Sequence, residues 1–208
     1  MRLLLILILM LWLGWPIAAM AGDIVVELRT PQGAPIAEAV ASVQVAHSEP
    51  IHFPWPYRVA QQDIQFDPFV LVVPVGAEVA FPNLDKVRHH VYSFSPAKTF
   101  ELKLYGRDET RVVRFDKAGI VELGCNIHDQ MIAFIDVVNT PFAAKTDARG
   151  VAVLHDPPPG AQTLRIWRPY LHAPGNTLVQ TVQVPRDGSV RVTVTAEVHA
   201  PPQHHHMY

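Results

Sequence analysis

The sequence predicts an all-β protein, an eight-stranded Greek-key sandwich joined to a second, smaller β-sandwich. Three observations lead there. Apolar residues alternate or cluster in short runs rich in Val, Ile and Phe. Gly, Pro, Asp and Asn separate these runs, as turns between strands require. Nothing after residue 21 carries the period of a long helix.

The chain begins with Met1-Arg2 and an apolar run from Leu3 to Trp15, broken by Pro16 and followed by the small-residue site Ala19-Met20-Ala21. This reads as a cleavable secretory signal peptide over 1–21, with the mature chain starting near Gly22. An uncleaved anchor is the alternative, because the run is almost long enough to span a bilayer. Cleavage leaves no stably membrane-inserted segment. Strand-like runs follow at 23–28 and 39–45, joined by the turn-rich Pro31-Gln32-Gly33-Ala34-Pro35. Residues 46–62 hold aromatics and prolines without a period and read as a linker packed on the surface.

The segment 61–138 carries eight strand-like runs: 63–66, 70–74, 78–82, 89–95, 100–105, 111–115, 119–125 and 132–138. Eight strands suffice to close a sandwich. Four more runs, 150–154, 162–168, 178–184 and 189–198, lie in 139–200, punctuated by Asp156-Pro157-Pro158-Pro159-Gly160 and Pro185-Arg186-Asp187-Gly188. Residues 22–60 and 139–200 together would make one small sandwich into which 61–138 is inserted. The rival arrangement is a continuous C-terminal domain, with the N-terminal strands pairing onto the edge of the 61–138 unit. Residues 201–208, with His204-His205-His206, form a short His-rich tail that is either a metal-capturing arm or a plain chain end.

With 17 Lys+Arg against 19 Asp+Glu the net charge is −2, so no basic footprint for nucleic acid exists. The single cysteine, Cys125, excludes an internal disulfide. In an exported chain a lone thiol invites oxidation unless something occupies it.

Cys125-Asn126-Ile127-His128-Asp129-Gln130-Met131 places a thiolate, an imidazole and a thioether at C-x2-H-x2-M just after a strand-like run. With one more imidazole this is the donor set of a mononuclear blue-copper site, with two His and one Cys in a plane and a weak axial Met. The strand-start pair His89-His90 offers that imidazole. Adjacent strand residues face opposite ways, so only one of them can reach the metal. His89 is assigned as ligand and His90 as an outward residue. The predicted metal residues are therefore His89, Cys125, His128 and Met131, holding one type 1 copper ion. A dinuclear copper centre would need a second cysteine, and methionine is a poor donor to structural zinc. A Cys-His nucleophile pair would want an oriented base and an oxyanion pocket, and neither is in view.

The runs Phe81-Pro82-Asn83…His89-His90-Val91-Tyr92-Ser93 and Gly124-Cys125-Asn126-Ile127-His128-Asp129…Met131 resemble the blue-copper cupredoxin family. The compact C-x2-H-x2-M loop has the amicyanin length, and His89-His90-Val91 stands where plastocyanin and amicyanin carry His-Asn-Val. The whole pattern is most similar to bacterial exported cupredoxin-like proteins often labelled methylamine utilization proteins. Gly33-Ala34-Pro35-Ile36-Ala37-Glu38-Ala39 and Thr146-Asp147-Ala148-Arg149-Gly150, with Pro157-Pro158-Pro159-Gly160, resemble the carboxypeptidase regulatory-like (transthyretin-like) module. The cupredoxin resemblance implies a periplasmic copper protein, and with the donor set it leads to the expectation of an electron carrier, not an enzyme. Redox partner proteins would dock near His128, over Ile127, Met131 and Ile132. The alternative is copper delivery or storage, with the His-rich tail in metal capture.

Overall fold

The computed structural model describes residues 22–45 and 49–200. The signal-peptide reading of 1–21 and the metal-capture reading of 201–208 fall outside the described residues.

Sixteen strands are present among the described residues, and the longest helical element is a three-residue 3-10 turn, Pro174–Asn176. In order they are β1 (Asp23–Arg29), β2 (Val40–Val43), β3 (Ala60–Gln62), β4 (Gln65–Asp67), β5 (Val70–Pro74), β6 (Ala77–Pro82), β7 (His89–Ser95) and β8 (Lys98–Tyr105). There follow β9 (Thr110–Phe115), β10 (Gly119–Cys125), β11 (Ile132–Val138), β12 (Ala143–Lys145), β13 (Val151–Leu154), β14 (Gly160–Trp167), β15 (Thr177–Val184) and β16 (Ser189–Thr195). The protein is an all-β sandwich protein, as its alternation of apolar and polar residues predicts.

One sandwich draws on both ends of the chain. Its first sheet has the order β13-β1-β16, with β1 antiparallel to β13 and parallel to β16. Its second has the order β12-β2-β14-β15. Strand β1 shows why: Ile24, Val26 and Leu28 are fully buried while the residues between them are half-exposed. They meet Ala41, Val43, Leu164 and Ile166 from the facing sheet in one core. The N-terminal strands thus pair with strands that follow residue 140, and not with an edge of the intervening segment.

The intervening segment forms the other sandwich. Its main sheet runs β5-β11-β10-β7-β8, with β5 parallel to β11 and the other pairs antiparallel. Across a core that includes Phe81, Val91, Phe115, Leu123 and Ile135 lie the β6–β9 and β3–β4 pairs. Parallel bridges Arg58↔Ala80 and Gln61↔Asn83 stitch those two pairs together.

Two expectations are corrected here. The run 63–66 is not one strand: Asp63 and Ile64 have φ of 54° and 55° and turn the chain between β3 and β4. A β-branched residue is unusual at positive φ. The turn is held from outside, because both of its N–H groups donate to the Asp85 carboxylate, at 2.7 and 3.1 Å. Nor is 46–62 a surface linker throughout. Val59 and Gln61 are fully buried, and residues 60–62 are a strand. Gln61 tolerates burial because Tyr105 Oη lies 2.5 Å from its Oε1. Trp55, stacked on Phe53 at 4.6 Å, donates its indole N–H to the Val72 carbonyl at 2.8 Å.

A third apolar cluster joins the two sandwiches. Val70, Val72, Phe134 and Val138 from one side meet Val40, Ala143 and Trp167 from the other. Phe134 packs edge-on against both Trp167 and Tyr170. Arg165 reaches across to the buried Asp136 at 2.8 Å. Burial pushes the Asp136 carboxyl up, and the Arg165 guanidinium opposes that shift.

Candidate metal centre

β7 and β10 are neighbours in the main sheet, with Val91 opposite Cys125. This pairing brings the first residue of β7 beside the last residue of β10. His89 is fully buried, and its Nδ1 lies 3.8 Å from Cys125 Sγ. His90 takes the other face, with its Nε2 3.0 Å from Glu101 Oε1 and its ring edge-on to Tyr92. Strand alternation therefore separates the two histidines in space.

The loop after β10 is two turns in series. The His128 N–H donates to the Cys125 carbonyl at 3.4 Å, and the Met131 N–H donates to the His128 carbonyl at 2.9 Å. Each is the i→i+3 closure of a β-turn. The repeat of three explains the C-x2-H-x2-M spacing, since each turn returns the chain to where the last donor stood. His128 Nδ1 lies 3.6 Å from Cys125 Sγ, and the two imidazoles are 5.0 Å apart at their centroids. Ligand atoms of His89, Cys125 and His128 all fall within 4.8 Å of one another. Met131 is 1% exposed and packs in the same core cluster as Cys125.

Donor spacing can be tested against a bound ion. Metal–sulfur and metal–nitrogen bonds of about 2.3 and 2.0–2.1 Å, at angles of about 110–120°, put sulfur and nitrogen roughly 3.6–3.8 Å apart. Both observed separations, 3.6 and 3.8 Å, are of that size. The residues fit a metal ion. Thiolate and imidazole donors with a thioether close by suit copper better than harder ions.

Sequence reasoning missed Asp85. Its carboxylate accepts from His89 Nε2 at 2.7 Å as well as from the Asp63 and Ile64 N–H groups. A hydrogen on Nε2 leaves Nδ1 with its lone pair toward Cys125, the tautomer a metal ligand needs. Asn83 holds the loop behind it, accepting from the Asp85 N–H at 2.9 Å and donating to the Val87 and Tyr105 carbonyls. Partial burial pushes the Asp85 carboxyl up. The hydrogen bonds from Ile64, His89 and Asp63 outweigh that and hold it below its ordinary value. The available signal was an acidic residue four positions before the histidine in a loop rich in turn formers.

Gly124 is the second omission. A Cβ there would stand 2.7 Å from the Tyr92 ring, so glycine lets the end of that ring lie over the strand beside Cys125 without shifting. An open groove next to the thiol is lined by Tyr92, Glu122, Asp129, Met131 and Ile132. The expected docking surface needs correcting. Ile127 is 48% exposed, but Met131 is buried and Ile132 packs toward the joint between the sandwiches. His128 is half-buried.

No protein-family model matches the chain, and no curated protein does. Among solved structures, a Cu-containing nitrite reductase from Thermus scotoductus SA-01 aligns at 28% identity and a TM-score of 0.39, over 46% of this chain and 25% of its own. A purple cupredoxin from Nitrosopumilus maritimus aligns at 19% identity and 0.36, over 39% of this chain and 98% of its own. A reduced, point-substituted amicyanin aligns at 19% identity and 0.37, over 47% of this chain and 98% of its own. Each likeness covers less than half of this chain.

Proposed function

We propose that this protein is a periplasmic electron carrier of the cupredoxin type, holding one type 1 copper ion between His89, Cys125, His128 and Met131. The observation that carries the reading is the pair of imidazole nitrogens 3.6 and 3.8 Å from a single buried sulfur. When bound, copper supplies a one-electron couple. The chain's own residues do the rest.

The ligands sit at strand ends and in a doubly turned loop, on a frame whose core residues are almost all inaccessible to water. Such a frame holds the donors in nearly one place whatever charge they face, so little rearrangement accompanies each electron. Asp85 fixes the His89 ring through Nε2. Burial of Cys125 and Met131 keeps water off the sulfurs. His128, half-buried between the exposed residues Ile127 and Asp129, is the donor nearest the outside. A redox partner would dock over that loop, with Ile127 as its apolar contact.

Titration of the purified protein with cupric ion, followed by visible absorption and voltammetry, tests this. The reading expects one ion per chain, intense thiolate-to-copper colour and a reversible one-electron wave. Tight cuprous binding without colour would instead favour delivery or storage.

A further inference from the structure

We propose that His172 and His199, with Glu197, form a second, surface site for a divalent transition-metal ion, cupric copper above all. The site is built on the other sandwich and uses none of the residues around Cys125.

The backbone sets the three side chains together. After β16 the chain returns as an isolated antiparallel bridge, Leu171↔Val198, braced on both sides. The His172 N–H donates to the Glu197 carbonyl, and the His199 N–H to the Tyr170 carbonyl, each at 2.8 Å. Leu171 is 2% exposed and Val198 packs against the core, so this pair faces inward. By strand alternation His172, Glu197 and His199 share the outward face. The His172 side chain meets each of the other two there. His172 Nδ1 is 3.3 Å from Glu197 Oε2, and the His172 and His199 rings are 4.5 Å apart at their centroids.

Two imidazoles and a carboxylate are borderline and hard donors without sulfur. They suit Cu(II), Ni(II) and Zn(II), with Cu(II) bound most tightly by the order of divalent affinities. A cuprous ion would prefer Cys125. The side chains of His172 and Glu197 are 62% and 64% exposed, so the rings can turn between staggered rotamers at little cost. The bridge has already fixed the backbone, so ordering two strands adds nothing to the cost of binding.

The test uses the full-length chain carrying Cys125→Ser and His128→Ala, so that it does not depend on the proposed electron-transfer centre. Cupric ion is titrated by calorimetry. Broadening of backbone amide NMR signals by substoichiometric copper locates the ion. The expectation is one bound ion, with broadening centred on residues 170–173 and 196–199. Adding His172→Ala and His199→Ala, both exposed and therefore harmless to the fold, should weaken binding about tenfold or more. Unchanged affinity in that variant, or broadening that avoids those residues, overturns the proposal. Full loss of binding on deleting 201–208, with none on removing the pair, would assign the ion to the tail alone and overturn it equally.

Discussion

Asp85→Asn is the most informative single change near the metal centre. The native carboxylate accepts three hydrogen bonds, from His89 Nε2 at 2.7 Å and from the Asp63 and Ile64 N–H groups at 2.7 and 3.1 Å. An amide of the same shape keeps one acceptor oxygen and turns the other into a donor facing a donor. At least one of the three bonds is lost, at about 1–3 kcal/mol for a buried partner left unpaired. His89 then loses its fixed tautomer and orientation. Loss of such an outer partner typically costs about 10–100-fold in metal affinity, or roughly 1.4–2.7 kcal/mol. Removing a negative charge also penalises the cupric state more than the cuprous one. Each tenfold difference between the two raises the reduction potential by about 59 mV. Competition titration against a chelator of known affinity gives the first quantity, and voltammetry gives the second. Asp85→Glu should recover neither fully, because the loop geometry is set by the shorter chain. If Asp85→Asn binds copper as tightly as the native protein at an unchanged potential, the bracing role assigned to this carboxylate is refuted.

Gly124→Ala should destabilise the fold by no more than about 1 kcal/mol in urea unfolding, the low end for overpacking, because its Cβ would stand 2.7 Å from the movable end of the half-buried Tyr92 side chain. Adding Tyr92→Ala should return part of that, and strict additivity of the two would contradict the contact. Arg165→Leu leaves the buried Asp136 carboxylate without its partner across the joint between the sandwiches. A loss of about 3–5 kcal/mol is expected, and Asp136→Leu in the same chain should lessen it. Asp147 is held below its ordinary 3.8 by the Val151 N–H and by the side chain and N–H of Arg149. Its stabilisation is therefore present above that ordinary value and lost as pH falls through the lower folded value. The stability gap between the native protein and Asp147→Asn should close in that window. A gap that persists in stronger acid would contradict the sign.

Much of this architecture was legible because a strand with one buried face writes a period of two into the chain. Strand β1, with Ile24, Val26 and Leu28 buried in strict alternation, is the plainest case. The closeness of His89, Cys125 and His128 was legible for a different reason. A C-x2-H-x2-M loop gains weight only beside a strand-start histidine on a strand-rich frame, and alternation separates His89 from His90. What stayed hidden depends on partners distant in sequence. The turn at Asp63 and Ile64 looks like a strand until the Asp85 carboxylate, more than twenty residues away, accepts both amides. Gln61 looks like a linker residue until the Tyr105 hydroxyl meets it inside the core. Strand β12, only three residues long, leaves no period to read. Met131 looked available as a surface residue because a loop position says nothing of how the second turn buries its side chain.

The account turns on one sulfur and two imidazoles closing around a single copper ion. Visible absorption during cupric titration of the native protein and of Cys125→Ser addresses it most directly. The native chain should develop intense colour that saturates at one equivalent, and the serine variant should develop none. Equal spectra for the two proteins, or a native chain that stays colourless at saturation, would contradict it.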